Sequence, residues 1–248
     1  MSHNYKLTIA YDGTQYKGWQ IQPNGLSIQE VIQKAMQIFM RDAVQIIGSG
    51  RTDAGVHASG QVAHFKTSRE IDLRRFLVSI NGLLPHDIRL LKAEEVDMDF
   101  HSQYSAIGKI YHYHLYLDKI QMPFRLLYSY HLPTPLDIVL LEKAAAQFLG
   151  THDFTAFANS ALQGSAARDP IRTITRLQIV PEEGGLRLEF EGDGFLYKMV
   201  RNIVGTLLEV AQKKRPVDDI AEIFASQDRR RAGRAAPPQG LFLVQVHY

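Results

Sequence analysis

The sequence predicts an α+β protein built from two halves, each with the element order βαββαβ. Two observations carry this prediction. Strand-like alternation of apolar and polar residues gives way repeatedly to helical periodicity, and the same succession of elements occurs twice along the chain. The length of 248 residues is enough for one large domain or two small ones with cores of their own.

The first half is predicted to begin with a strand and to contain two amphipathic helices. Residues 5–11 alternate between apolar and polar side chains, which is typical of a strand. Ser27 followed by Glu30 is a capping box and predicts the start of one helix, and Asp72 is predicted to cap a second. Further strands are predicted over residues 44–48, 61–66 and 88–93.

The second half is predicted to repeat this order and to add one helix. Thr134 and Pro135 are predicted as the N-cap and first residue of a helix that Gly150 closes. The turn residues 182–185 predict a hairpin. The remaining elements are strands over residues 109–117, 172–180, 186–192 and 241–247 and helices over residues 197–212 and 219–225.

Units of this order are split βαβ, or ferredoxin-like, units, and we expect them in residues 1–105 and 106–248. The halves differ between their central strands, where the first has a long glycine-rich loop and the second a four-residue turn. Two similar units side by side form a central cleft, which this one loop makes asymmetric. We therefore expect one active site per chain, with the loop on one side.

Composition limits the classes of function. The chain has no cysteine, which excludes disulfides and thiolate metal sites and favours a reducing, cytoplasmic compartment. Residues 1–4 lack an apolar signal core, and no apolar run is long enough to span a bilayer. The net charge of +2 means that a nucleic-acid surface would have to be a local patch.

The loop over residues 48–60 is the strongest candidate site, because it places Arg51, Asp53 and His57 among four glycines. Asp53 is either an ordinary turn residue or a carboxylate that Arg51 keeps ionised for attack as nucleophile or base. The loop lacks the ending of a P-loop. His57 and His64 with Asp53 do not have the spacing of a zinc site, so no metal is expected.

Other candidates lie in the second half. Tyr111 is either a core residue or an aromatic platform for a base. Arg201 flanks an apolar helical stripe and is either solvated or a cation at the cleft. Arg168, Arg172 and Lys198 are either solvated or part of a patch that contacts a phosphate backbone.

These residues resemble the bacterial tRNA pseudouridine synthase A family, and the resemblance extends over residues 5–248. Its most specific block is Arg-Thr-Asp-Ala-Gly-Val-His, from Arg51 to His57. Several blocks occur in the family's order: residues 11–14, 18–20, 50–58, 111 with 113, 195–205, 236–237 and 240–243.

The resemblance implies a pseudouridine synthase fold with two ferredoxin-like halves, a homodimer, and no cofactor. It also implies conversion of uridines 38, 39 and 40 in the tRNA anticodon stem-loop to pseudouridine. The family's catalytic aspartate falls on Asp53, its active-site tyrosine on Tyr111 and its active-site arginine on Arg201, and Arg51 is assigned to substrate binding. Whether Asp53 attacks C1′ of the ribose or C6 of the uracil stays open.

The chain departs from the family's usual residues at four positions. Gln103 and Tyr104 stand where an Arg-Phe pair is common, Lys109 replaces a usual arginine, and Lys198 stands where histidine is frequent. These departures bear on RNA contacts and efficiency.

Two rival functions stay open at this point. A non-catalytic RNA-binding protein would bind tRNA without modifying it, and it would have no need for Asp53. A metal-dependent hydrolase would use Asp53, His57 and His64, and chelators would abolish its activity.

Overall fold

The computed structural model describes residues 2–159 and 169–248, which form ten strands and five α-helices mixed along the chain. The chain divides into two compact units. Met1–Ile107 and Phe242–Tyr248 group together, and Gly108–Leu241 form the other unit. No helix in the described ranges has the length and apolar character that crossing a membrane requires.

The first unit has the predicted order βαββαβ. Strand β1 lies between β3 and β4 and is antiparallel to both, and the short β2 pairs antiparallel with β3. The two helices contact each other, and α2 packs on β4. The elements are β1 (His3–Tyr11), α1 (Ile28–Met40), β2 (Ile47–Gly48), β3 (His57–Thr67), α2 (Leu73–Leu83) and β4 (Ile88–Val96).

Both helices of the first unit begin where the sequence predicts. The Ser27 hydroxyl accepts a hydrogen bond from the Glu30 N–H at 3.3 Å, and the Asp72 carboxylate accepts one from the Arg75 N–H at 3.0 Å. Each cap satisfies a main-chain donor that has no partner within the helix. The local capping signals were therefore sufficient to predict where both helices begin.

The second unit is a four-stranded antiparallel arrangement in the order β5–β9–β8–β7, with α3 packed on α4. A short β6 pairs in parallel with β5. The elements are β5 (Gly108–Tyr116), β6 (Tyr130–His131), α3 (Ile138–Ala146), β7 (Gly150–Asp153), β8 (Ile171–Glu182), β9 (Gly185–Gly192), α4 (Met199–Ala211) and α5 (Asp219–Ser226).

The last strand, β10 (Leu241–His247), forms as predicted but pairs in parallel with β3. Phe242 lies opposite His57 and Leu243 opposite Ala58. This pairing extends β3 back to His57, four residues before the predicted start. The end of the glycine-rich segment is therefore strand rather than loop.

The predicted strand over residues 44–48 is wrong except for its last two residues. The Ile46 N–H donates to the Gln33 side chain at 3.1 Å, and the Ile46 carbonyl accepts from the Gln29 side chain at 2.8 Å. These two glutamines of α1 take the main-chain groups that a strand partner would otherwise use.

The predicted start of α3 is also wrong. Asp137, not Thr134, is the N-cap, and its carboxylate accepts the Leu140 N–H at 3.1 Å. The Asp137 N–H donates to the Ala211 carbonyl at 2.9 Å, which anchors the helix start to the end of α4. Gly150 opens the unpredicted strand β7 instead of closing the helix.

Candidate functional site

Asp53 lies at the first position of a tight turn that leads into β3. The Asp53 carbonyl accepts the Val56 N–H at 3.1 Å, and Gly55 at the third position has φ of +77°. That left-handed conformation favours glycine at this point of a turn. The Asp53 side chain is half-buried and Arg51 is exposed.

The segment from Tyr16 to Trp19 holds the main chain of the Asp53 turn. The Trp19 N–H donates to the Thr52 carbonyl at 3.1 Å, and the Gly55 N–H donates to the Tyr16 carbonyl at 3.4 Å. A Cβ on Gly18 would collide with the Thr52 carbonyl oxygen. The sequence marked this segment only as a matching block, and its glycine was the signal for a close approach of two backbones.

His57 is an anchor of the same loop. Its ring is buried and stacks on Phe242 with 4.5 Å between ring centroids. Its Nδ1 accepts the Gly13 N–H at 3.1 Å and lies 3.1 Å from the Asp12 carboxylate. These contacts give His57 a structural role.

His64 is a core histidine of β3 whose ring has a hydrogen-bond partner. Its Nδ1 lies 2.9 Å from the Ser102 hydroxyl, and its side chain is buried. Within the described residues, no three histidine, aspartate or glutamate side chains are arranged to hold a metal ion.

We expect His64 to make the protein less stable in acid. Burial, followed by the nearby His101 and Lys66, lowers the pKa of His64 to about 4, against about 6.5 in the unfolded chain. The unfolded state therefore takes up the proton first. The free energy of unfolding falls by up to about 3 kcal/mol as the pH drops from 6.5 to 4, and this contribution is constant above pH 6.5.

Urea unfolding between pH 4.5 and 7.5 measures this effect. The variant His64→Gln should have a flatter pH profile than the unsubstituted protein. His86→Gln removes an exposed histidine and should leave the slope unchanged. Equal slopes for the protein and His64→Gln would contradict the assignment.

Tyr111 lies near the start of β5 on the face that it shares with Tyr113. Its side chain is 8% exposed and makes an edge-to-face contact with Phe195, with 5.2 Å between ring centroids. Tyr113 is fully buried, and its hydroxyl donates to the Pro237 carbonyl at 2.8 Å. Tyr113 is therefore a core residue.

Arg201 lies in the first turn of α4 and is tied to the segment before β10. Its Nε donates to the Ala236 carbonyl at 2.7 Å, and the Ala236 N–H donates to the Arg201 carbonyl at 2.9 Å. This reciprocal pair fixes the direction of the half-buried guanidinium group. Arg201 is therefore more constrained than a solvated surface arginine.

Asn202 is a structural residue that the sequence analysis missed. It is fully buried, and its amide nitrogen donates to the Phe157 carbonyl at 2.8 Å and the Asn159 side chain at 3.0 Å. Its amide oxygen accepts from Arg229 at 2.7 Å. No sequence signal marked its burial, because position 202 is predicted on the side of the helix opposite the apolar stripe.

The candidate phosphate contacts have different surroundings. Arg172 donates to the Asp169 carbonyl at 3.0 Å, and burial together with Arg172 lowers the pKa of the neighbouring Lys109 to about 8. Lys198 has φ of +61°, so α4 begins at Met199, two residues after the predicted start, and the Lys198 Nζ lies 5.2 Å from the centre of the Tyr197 ring. Arg168 lies outside the described residues.

Comparison with known proteins gives the class of the protein first. The sequence model of the tRNA pseudouridine synthase family matches residues 7–105 and 144–248. The chain therefore belongs to the tRNA pseudouridine synthase family, whose members are isomerases.

Comparison with individual relatives gives a narrower group of similar proteins. The chain is 62% identical to tRNA pseudouridine synthase A 1 of Protochlamydia amoebophila (strain UWE25) over 247 residues, which are 99% of this chain and 96% of the relative. It is 48% identical to tRNA pseudouridine synthase A of Acetivibrio thermocellus over 247 residues, 99% of each chain. It is 46% identical to the protein of that name from Citrifermentans bemidjiense, over 99% of this chain and 97% of the relative.

Proposed function

We propose that this chain converts uridines 38, 39 and 40 of the tRNA anticodon stem-loop to pseudouridine, with Asp53 as the nucleophile. The observation that carries the proposal is the presentation of Asp53. Its half-buried carboxylate belongs to a tight turn whose main chain is held by the Tyr16–Trp19 segment. Family membership and the similarity to proteins named tRNA pseudouridine synthase A support the same reaction.

The reaction is an isomerisation. The N1–C1′ bond breaks, the uracil turns, and a C5–C1′ bond forms while C5 loses its proton and N1 gains one. No net electrons or atoms are exchanged, so the chemistry requires neither a redox cofactor nor ATP. A carboxylate can begin it by attack at C1′ or at C6, because both are electrophilic carbons.

We assign supporting roles to three further residues. Arg201, whose guanidinium is directed by its bond to Ala236, binds the substrate. Tyr111, braced edge-on by Phe195, stacks on the uracil or relays the C5 proton. Arg51 is exposed and contacts the substrate beside Asp53.

A basic patch offsets the cost of unstacking the target uridine, which is a few kcal/mol. We place Arg172, Lys198 and Arg168 in this patch. Arg172 and Lys109 are two cations close enough for Arg172 to lower the Lys109 pKa, and a phosphate group would relieve their repulsion. The arginines at 229–231 pair with Asn202, Asp228 and Glu222, and we leave them out of the proposed patch.

The finer fold and assembly are also proposals. We propose that both halves are ferredoxin-like, which the strand order β4–β1–β3–β2 of the first unit supports. We further propose that the protein is a cytoplasmic homodimer without cofactor or metal. Light scattering coupled to size exclusion should give twice the mass of the chain.

Pseudouridine mapping tests the proposed sites. An unmodified tRNA transcript with uridine at positions 38, 39 and 40 should acquire pseudouridine there, and a transcript labelled with tritium at uridine C5 should release the label. The matched control has cytidine at all three positions and should release none. EDTA should leave the rate unchanged when the tRNA is folded beforehand.

Three outcomes would contradict the proposal. Modification only at other uridines would overturn the site assignment. Binding of tRNA without any modified base would favour a non-catalytic RNA-binding protein. Loss of activity in EDTA with the tRNA still folded would favour a metal-dependent enzyme.

A further inference from the structure

A buried polar network lies directly beneath the loop that carries Arg51 and Asp53. Its members are at most 7% exposed, and they connect the end of β1, the middle of β3 and the loop itself. They are Tyr11, Ser49, Thr52 and Gln61.

Gln61 is the centre of this network. Its side-chain oxygen accepts hydrogen bonds from the Ser49 hydroxyl at 2.8 Å and from the Val62 N–H at 3.1 Å. Its side-chain nitrogen donates to the Gly50 carbonyl at 3.1 Å. The side chain therefore links Ser49 and Gly50, the incoming arm of the loop, to β3.

Thr52 anchors the outgoing arm of the loop, which continues through Asp53 toward β3. Its hydroxyl lies 2.7 Å from the Tyr11 hydroxyl, and its carbonyl accepts the Trp19 N–H at 3.1 Å. Gln61 also hydrogen-bonds the Tyr11 hydroxyl, which connects the two arms. Burial raises the pKa of Tyr11 above the ordinary tyrosine value, so this group acts as a neutral hydroxyl and not as a charge.

The geometry leaves Asp53 little freedom. The contacts at Gly50 and Thr52 lie on either side of Arg51 in the sequence, and Asp53 is the residue next to Thr52. The contacting side chains sit on strands β1 and β3, which pair with each other over eight positions from His3 to Tyr11. The rigidity of the sheet is in this way transmitted to the main chain of Asp53.

We propose that Tyr11, Thr52 and Gln61 are positioning residues that set the line of approach of the Asp53 carboxylate to the uridine. This inference rests on the proposed function. The three side chains act through Asp53 rather than on the substrate. A displacement of about 1 Å in a reacting group can cost about 100-fold in rate, so loosening either arm should slow chemistry without weakening tRNA binding.

Conservative pairs of variants test the proposal in single-turnover reactions with enzyme in excess. Thr52→Val removes the hydroxyl and should lower the rate constant about tenfold or more, whereas Thr52→Ser keeps it and should stay within about threefold. Tyr11→Phe should lower the rate as Thr52→Val does. Since both break the same hydrogen bond, the double variant should be no slower than the slower single variant.

Tyr5→Phe is the matched control. Tyr5 lies on the same strand and is equally buried, and its hydroxyl accepts the Ile71 N–H at 3.0 Å, away from the loop. This variant should lose stability in urea unfolding but keep its rate constant. The tRNA dissociation constants of all variants should agree within about twofold, because none of the three positioning residues touches substrate.

Unchanged single-turnover rates in both Tyr11→Phe and Thr52→Val would overturn the proposal. A rate loss that is fully explained by a smaller folded fraction or by weaker tRNA binding would also overturn it. Failure of the proposed function is distinguishable from failure of this inference. Full activity of Asp53→Asn would refute Asp53 as the nucleophile, whatever the results for the loop variants.

Discussion

Asp53→Asn should remain folded and bind tRNA, but it should form pseudouridine at least about 10⁴-fold more slowly than the unsubstituted protein. Asparagine has nearly the same shape as aspartate, so the turn closed by the Asp53 carbonyl and the Val56 N–H should persist. The amide has no anionic oxygen and cannot form the bond to C1′ or C6. Tritium release from uridine C5 measures the loss.

The matched control is Asp42→Asn, the same chemical change at an exposed residue of the first unit. Its activity should equal that of the unsubstituted protein. Binding of tRNA by Asp53→Asn, measured by filter retention, separates loss of chemistry from loss of binding. Full activity of Asp53→Asn would refute Asp53 as nucleophile.

Gly18→Ala should both destabilise the protein and slow the reaction. Gly18 has φ of +87°, which L side chains rarely adopt, and an added Cβ would collide with the Thr52 carbonyl. Strain and overpacking together should cost about 2–4 kcal/mol of unfolding free energy. Because Thr52 is the neighbour of Asp53, displacement of its carbonyl should also lower the single-turnover rate about 100-fold.

Gly82→Ala is the control for Gly18→Ala. Gly82 lies in α2, and an added Cβ there would meet no atom within 4 Å. Alanine is the better helix former, so this variant should gain about 0.5–1 kcal/mol and keep full activity. Urea unfolding and single-turnover assays measure both variants. A Gly18→Ala protein as stable and active as the unsubstituted one would disprove the close approach.

Local sequence signals predicted part of the fold well. Ser27 and Asp72 cap α1 and α2 as expected, because a cap depends on residues within one turn of it. α3 shows the limit of such signals. Thr134 and Asp137 are both acceptable caps, and the contact of Asp137 with Ala211, far along the chain, decides between them.

The candidate site was predicted in the same partial way. Residue types and matching blocks predict Asp53, Arg51, Tyr111 and Arg201 as candidate residues. The surroundings of Asp53 are not predicted, because nothing in the sequence pairs Gly18, Tyr11 or Gln61 with the loop that carries Asp53.

The sequence by itself determined the order βαββαβ of the first unit, the helix caps and the acidic residue on which the reaction is proposed to depend. These follow from periodicity and from residue types that are read over a few positions. The tertiary structure alone decided how Asp53 is held. The bond between Tyr11 and Thr52 joins residues 41 positions apart, and it exists only because β1 and β3 pair in one register. Sequence spacing does not specify that register, because it arises from the packing of both strands in a common core.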